Sequence, residues 1–142
     1  MLFPKKTKYS KSFSGKKLTP KVSAICRTNK YGNVLLVAAE SGKVTNFQLE
    51  ALRRFLRRFL KKKAQIFFRV FPSVPVTKKP NDVRLGRGKG NLKYWALYLK
   101  KGAVLLEIRS FDDALTNKVV HAAKIKLSIK TITSNRQTRW IL

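Results

Sequence analysis

TNFQLEALRRFLRRFLKKKAQIFFRVF, residues 45–71, sets a helix directly against a strand. Thr45 can accept the free backbone amide of Gln48 while Gln48 reaches back to Thr45, the reciprocal pair that opens a helix. Leu49, Leu52, Phe55, Leu56, Phe59 and Leu60 then recur at helical spacing and share one arc. Arg53, Arg54, Arg57, Arg58, Lys61 and Lys62 occupy the opposite arc. A helix divided in this way has one side for a sheet and one side for an anion. Solvated helix faces ordinarily mix Glu with Lys, and here the only acid is Glu50, so contact with RNA is favoured over plain solvation. Taken alone, the helix also fits a membrane surface or a calmodulin-type partner.

Working outward, residues 65–71 (QIFFRVF) combine aromatic and β-branched side chains as a strand does. Pro72, Pro75 and Pro80 then predict a rigid extended connection that is neither helical nor fully paired in a sheet. Upstream, residues 22–27 and 34–39 are β-branched and apolar, and Asn29, Gly32 and Asn33 between them supply hairpin turn chemistry. Downstream, residues 94–100 and 103–109 meet at Lys101 and Gly102, which predicts a second hairpin. Ser110 with Asp113 predicts the start of a second helix that runs to about Leu127, with Phe111, Leu115, Val119 and Ala122 on its core face. Residues 128–134 read as a last strand, followed by a basic tail carrying Arg136 and Arg139. The expected fold is α+β: a mainly antiparallel β-sheet with two α-helices packed against it, a basic extended N-terminal arm and a Gly/Pro-rich loop. Residues 1–21, with seven lysines and no acid, form the arm, and residues 22–142 form one domain.

The chain has 142 residues, of which 44% are hydrophobic and 11% aromatic, enough to build one core and too apolar for a disordered polymer. Against 33 lysines and arginines stand 6 acids, a formal net charge of +27 that calls for a polyanion. No apolar run approaches the roughly 18–20 residues that span a bilayer, which excludes insertion into a membrane. Cys26 and His121 are the sole cysteine and histidine, so neither an internal disulfide nor a zinc site of the usual ligands can be assembled, and no cofactor is expected. The N-terminus lacks the apolar stretch of a secretory signal; it is Ser-rich and acid-free like a mitochondrial transit peptide, but without arginine.

VRLGRGKGN, residues 83–91, is the densest glycine cluster, and Arg84, Arg87 and Lys89 alternate with residues that tolerate positive φ, so amides and cations can both approach a phosphate. It is not an NTPase loop, because Lys89 is followed by Gly90 where Ser or Thr belongs, and Asn91 replaces the last glycine of a dinucleotide fingerprint. Catalytic groups are scarce: Asp112 and Asp113 suit a helix start better than a nuclease metal site, and His121 has no evident acid partner. No enzymatic activity is expected.

MLFPKKTKYSK (residues 1–11), QLEALRR (48–54), FRVFPSVPVTKKP (68–80) and VRLGRGKGNLKYW (83–95) together resemble the bacterial and organellar family of large-subunit ribosomal protein sixteen. GAVLLEIR (102–109) and AAKIKLSIKT (122–131) agree with that family's later strand and its helix-to-strand ending. The resemblance departs over residues 12–43, where lysines and hydrophobics replace the family's arginine- and glycine-rich arm. It implies a protein that binds large-subunit rRNA near the peptidyl-transferase region, beside aminoacyl-tRNA, close to five-S rRNA or its organellar replacement, and among neighbouring large-subunit proteins. It further implies that Lys5, Lys6 and Lys8 belong to a basic arm, and that Arg84 lies at the loop tip nearest the catalytic centre, a position hydroxylated in some bacteria. Lys78 and Lys79 lie in a matching motif and join the expected RNA contacts. Since the match begins at Met1, with nothing ahead of the family's own N-terminus, the chain is expected to be bacterial or encoded inside an organelle, or to have had an import signal removed. Lysine, phenylalanine and isoleucine richness favours a mitochondrial ribosome over a plastid or bacterial one. The alternative from composition alone is a free-standing nucleic-acid chaperone or nucleoid protein.

Overall fold

The computed structural model describes residues 2–13, 30–84, 86 and 88–135. Within them the order is β1 (Val34–Ala38), β2 (Gly42–Thr45), α1 (Asn46–Leu60), β3 (Ala64–Phe68), β4 (Val74–Lys78), β5 (Asn91–Leu99), β6 (Val104–Ser110), α2 (Asp113–Ala123) and β7 (Thr131–Asn135). The α+β class holds, but the strands divide into two antiparallel sheets, ordered β3-β6-β1-β7 and β2-β5-β4. The predicted strand over residues 22–27, Cys26 and the basic tail lie outside the described residues.

The expected hairpin of residues 94–109 does not form. A tight turn is present, with the Ala103 amide donating to the Lys100 carbonyl at 3.1 Å, but it carries the chain from one sheet to the other. Gly102 donates to Ala38 and Ala38 donates to Ala103, so the turn hands the chain to β1 instead of folding it back on β5. The reason is burial: β6 is covered along almost its whole length and needs a central place between β1 and β3. The proline stretch is likewise corrected, since Val74–Lys78 is a paired strand in which Pro75 stands opposite Trp95. β4 lies at the edge of its sheet, where a missing outward N–H costs no ladder bond, and a bulge between Val76 and Thr77 absorbs the irregularity.

Helix α1 forms as its spacing requires. Thr45 Oγ1 accepts the Gln48 amide at 3.2 Å and Gln48 Oε1 accepts the Thr45 amide at 2.9 Å, closing the cap from both sides. Leu52, Leu56 and Leu60 enter a core with Val34, Leu36, Leu106, Ile108, Val120 and Ala123, whereas Leu49 enters a second with Ala38, Val44, Leu99, Leu105 and Ile129. One helix therefore fastens both sheets, each leucine contributing about 1.5–3 kcal/mol by burial. Phe59 departs from the expected arc: it is half-exposed and leans on Phe55, ring centroids 4.7 Å apart.

Helix α2 starts later than expected, because Asp112, not Ser110, caps it by accepting the Leu115 amide at 3.0 Å. Its buried face is Thr116, Val120 and Ala123; Phe111, Leu115 and Ala122 are exposed, and Val119 only flanks the core. Thr116 is a polar residue at a core position because its hydroxyl is satisfied by Ser110 Oγ at 2.8 Å and the Asp112 carbonyl at 2.7 Å. Helix α2 ends at Ala123, and a 3₁₀ turn over Lys124–Lys126 leads towards β7.

Glu107, in the middle of β6, is fully buried. Its Oε2 accepts three successive amides, from Lys30 at 3.0 Å, Tyr31 at 2.7 Å and Gly32 at 3.1 Å, while Oε1 is ion-paired with Arg69. Burial opposes ionisation, yet the Tyr31 amide, the Arg69 guanidinium and the Gly32 and Lys30 amides together hold the carboxyl below its ordinary range.

Candidate nucleic-acid interface

The structure sorts the predicted basic residues of α1 into two kinds. Glu50 is buried and accepts Arg53 Nη2 at 2.7 Å, Arg53 Nε at 3.1 Å and Arg54 Nε at 3.2 Å, so these two arginines are engaged within the helix. Arg57, Arg58, Lys61 and Lys62 are exposed. Lys61 takes a left-handed backbone conformation, φ 48°, at the helix end, and its amide closes on the Arg57 carbonyl. A 3₁₀ turn over Lys61–Lys63 then sends the chain into β3. Between this helix end and β3 lies an open trough of about 820 Å³, lined by Arg53, Arg57, Lys61 and Lys62 above Gln65, Ile66 and Phe67. A neighbouring hollow of about 510 Å³ shares Lys62 and Gln65 and adds Lys63 and Arg109. Those last two cations were not singled out by sequence, since nothing local to a 3₁₀ turn or a strand end marks them.

The acids explain why this charge stands unopposed. Glu50 holds two arginines, Glu107 holds a loop, Asp112 caps α2 and Glu40 accepts the Lys130 amide at 2.8 Å, so four of the six carboxylates serve internal partners. Hydrogen bonds from Arg53 outweigh the burial cost and lower the Glu50 pKa from 4.5 to about 2, with Arg54 assisting. Because the folded value lies below the unfolded one, this stabilisation is complete above about pH 4.5 and is lost as pH falls through about 2. The melting midpoint of Glu50→Gln should therefore lie below that of the wild type near neutrality and approach it in acid, a convergence that calorimetry at stepped pH will read.

The second basic surface surrounds the glycine loop. Lys78 ends β4 exposed; Lys79 Nζ bonds the Gly86 carbonyl; Arg84 is exposed. Gly86 and Gly88 adopt φ +103° and +81°, the positive values expected of them, whereas Arg87 lies outside the described residues. Lys5, Lys6 and Lys8 are exposed, and residues 11–13 meet the loop. Lys11 Nζ donates to the Lys89 carbonyl at 2.9 Å, Lys89 Nζ bonds the Ser12 carbonyl, and the Lys89 ammonium sits 4.7 Å from the Phe13 ring centroid. Residues 11–13 and Lys89 are distant in sequence, and the fold brings them into contact.

The loop's base is fixed by close approach. A Cβ on Gly90 would stand 2.6 Å from the Lys78 carbonyl carbon and 2.7 Å from the Lys79 nitrogen, both backbone atoms that cannot turn aside. Gly90→Ala should cost about 1–3 kcal/mol, read as a lower urea midpoint at unchanged slope.

Among the described residues no group of three His, Cys, Asp or Glu side chains could hold a metal ion, and no helix is long and apolar enough to cross a membrane. Two cationic surfaces, in a protein where four of the six carboxylates are bonded to internal partners, are the arrangement expected of a structural protein that meets a polyanion. The profile of the family described as Ribosomal protein L16p/L10e matches residues 4–133, and the chain belongs to that family. It is 40% identical over 131 residues to Large ribosomal subunit protein uL16 of Thioalkalivibrio sulfidiphilus, covering 92% of this chain and 94% of that one. It is 42% identical over 132 residues to the uL16 protein of Erythrobacter litoralis, covering 92% and 90%. The uL16 protein of Acinetobacter baylyi is 40% identical over 133 residues, covering 92% and 94%. The resemblance read from the motifs is thus borne out, and the family is structural, not enzymatic.

Proposed function

We propose that this chain is a structural constituent of the large ribosomal subunit that binds large-subunit rRNA through the α1 trough and the arm-and-loop surface. The observation that carries the reading is the separation of charge: four of the six carboxylates are spent on internal bonds while Arg57, Arg58, Lys61, Lys62, Lys78, Arg84 and the arm lysines Lys5, Lys6 and Lys8 are exposed. Such a surface releases counterions from a phosphate backbone and stiffens RNA without chemistry. In the finer reading residues 1–21 are an arm on a single domain, residues 22–142. The arm and the loop around Arg84 face aminoacyl-tRNA beside the peptidyl-transferase region, close to five-S rRNA or its organellar replacement, with other large-subunit proteins as neighbours. Lysine and phenylalanine richness supports a mitochondrial ribosome as the residence, although the relatives named above are bacterial.

Gradient sedimentation of the tagged chain tests the main reading. It should travel with the large subunit, in the mitochondrial fraction of a eukaryotic cell; a chain spread over all RNA would instead be a free-standing chaperone. Arg84→Ala should incorporate normally and slow aminoacyl-tRNA accommodation, read by pre-steady-state kinetics, whereas removing the charges of Arg53, Arg54, Arg57 and Arg58 should mainly impair incorporation; equal assembly defects in both variants would refute this division between loop and helix.

A further inference from the structure

The outer face of the β2-β5-β4 sheet carries a hollow of about 220 Å³ that the phosphate-binding surfaces do not account for. The arm residue Phe13, β5 residue Tyr98, Lys43 from β2, loop residue Lys89, and Pro75 and Thr77 of β4 line it. Four properties define what fits. Its volume lies below the roughly 300–1,000 Å³ of pockets that take drug-sized ligands, so it admits one flat ring system. Phe13 is 92% exposed, and Tyr98 is also exposed, leaving aromatic faces open. Both charged residues lining it are lysines, with no carboxylate among them. Both ammonium groups are already steadied at aromatic rings, Lys89 at Phe13 and Lys43 at 5.0 Å from the Tyr94 centroid with a 3.1 Å bond to its hydroxyl, and each keeps further N–H groups for a phosphate.

We infer that this hollow holds a single unstacked nucleobase of RNA, stacked on Phe13 and Tyr98, with its flanking phosphates on Lys43 and Lys89. The inference rests on the RNA-binding reading above and adds to it a base-sized subsite distinct from backbone contacts. Aromatic platforms take any base by its face, so the subsite selects an extruded nucleotide and not a sequence. Thr77 and edge strand β4 offer hydrogen-bonding groups at its wall. The parts come from the arm, three strands and the loop, and only the folded chain assembles them.

The test uses the full chain and three RNA hairpins: fully paired, with one bulged adenosine, and with an abasic nucleotide at the same bulge. The abasic hairpin keeps the kink and the phosphate and removes only the base. Wild-type protein should bind the adenosine bulge about tenfold more tightly than the abasic one. Phe13→Ala and Tyr98→Ala should each shrink that ratio towards one, Tyr98→Ala while leaving affinity for the paired hairpin and its salt dependence intact, and Phe13→Trp should restore it. Equal wild-type affinity for adenosine and abasic bulges would overturn the subsite and leave the RNA-binding reading standing. Absence of salt-dependent binding to all three hairpins would overturn both. Phe13 and Tyr98 are exposed, so melts of the variants should match the wild type, and a Tyr98→Ala chain that loses affinity for every hairpin alike would also sink the proposal.

Discussion

Glu107→Gln should lower folding stability by about 3–5 kcal/mol and the melting midpoint by roughly 10 °C. The carboxylate is fully buried and serves four donors, three amides of residues 30–32 and the Arg69 guanidinium. Glutamine keeps its shape, so no cavity opens. Its NH₂ end, however, must face either the amide cluster or the guanidinium, and donors then meet a donor in a dry site. The pH dependence separates this from a packing fault. The folded carboxyl lies below its unfolded range, so its stabilisation is complete above the ordinary carboxylate value and is lost as pH falls through the lowered one. Glutamine does not titrate there, and wild type and variant should converge in acid. Circular dichroism melts from neutrality downward measure both effects; coincident melts at neutral pH would mean that the clamp holds nothing.

Neutralising Arg57, Arg58, Lys61 and Lys62 together should weaken binding to structured RNA about a thousandfold near 0.1 M salt and reduce the slope of log affinity against log salt by about 3–4. All four side chains are exposed, so thermal stability should hold. Neutralising Arg53 and Arg54 should produce the opposite pattern, a modest change in RNA affinity and a loss of stability, because buried Glu50 is then left without its partners. Fluorescence anisotropy over a salt series distinguishes the two sets. A quartet variant with an unchanged salt slope would show that the trough does not meet phosphate.

The contrast between the two arginine pairs marks a limit of helical spacing as evidence. Arg53, Arg54, Arg57 and Arg58 are alike by position on the wheel, and only the depth of Glu50 separates those that are engaged from those that are available. The same holds for Phe59, apolar by position and half-exposed in fact, and for Thr116, polar by type and buried because Ser110 and Asp112 satisfy it. Lys63, Arg109, Lys43 and Tyr98 escaped the sequence reading because each acquires meaning only from a neighbour on another element.

By itself the sequence determined α1 with its cap, the polarity of its two faces, the strand segments of β1, β3 and β6, the positive-φ glycines and the family motifs. These depend on residues within a turn or two of one another, where spacing and local hydrogen bonding decide the outcome. Tertiary structure alone decided that β5 and β6 belong to different sheets, that the proline stretch is an edge strand, that Glu107 grips residues 75–77 positions away, and that the arm closes on a loop 78 positions away. Such contacts answer to which faces must leave water and which buried donors must find acceptors, and both are conditions on the whole chain.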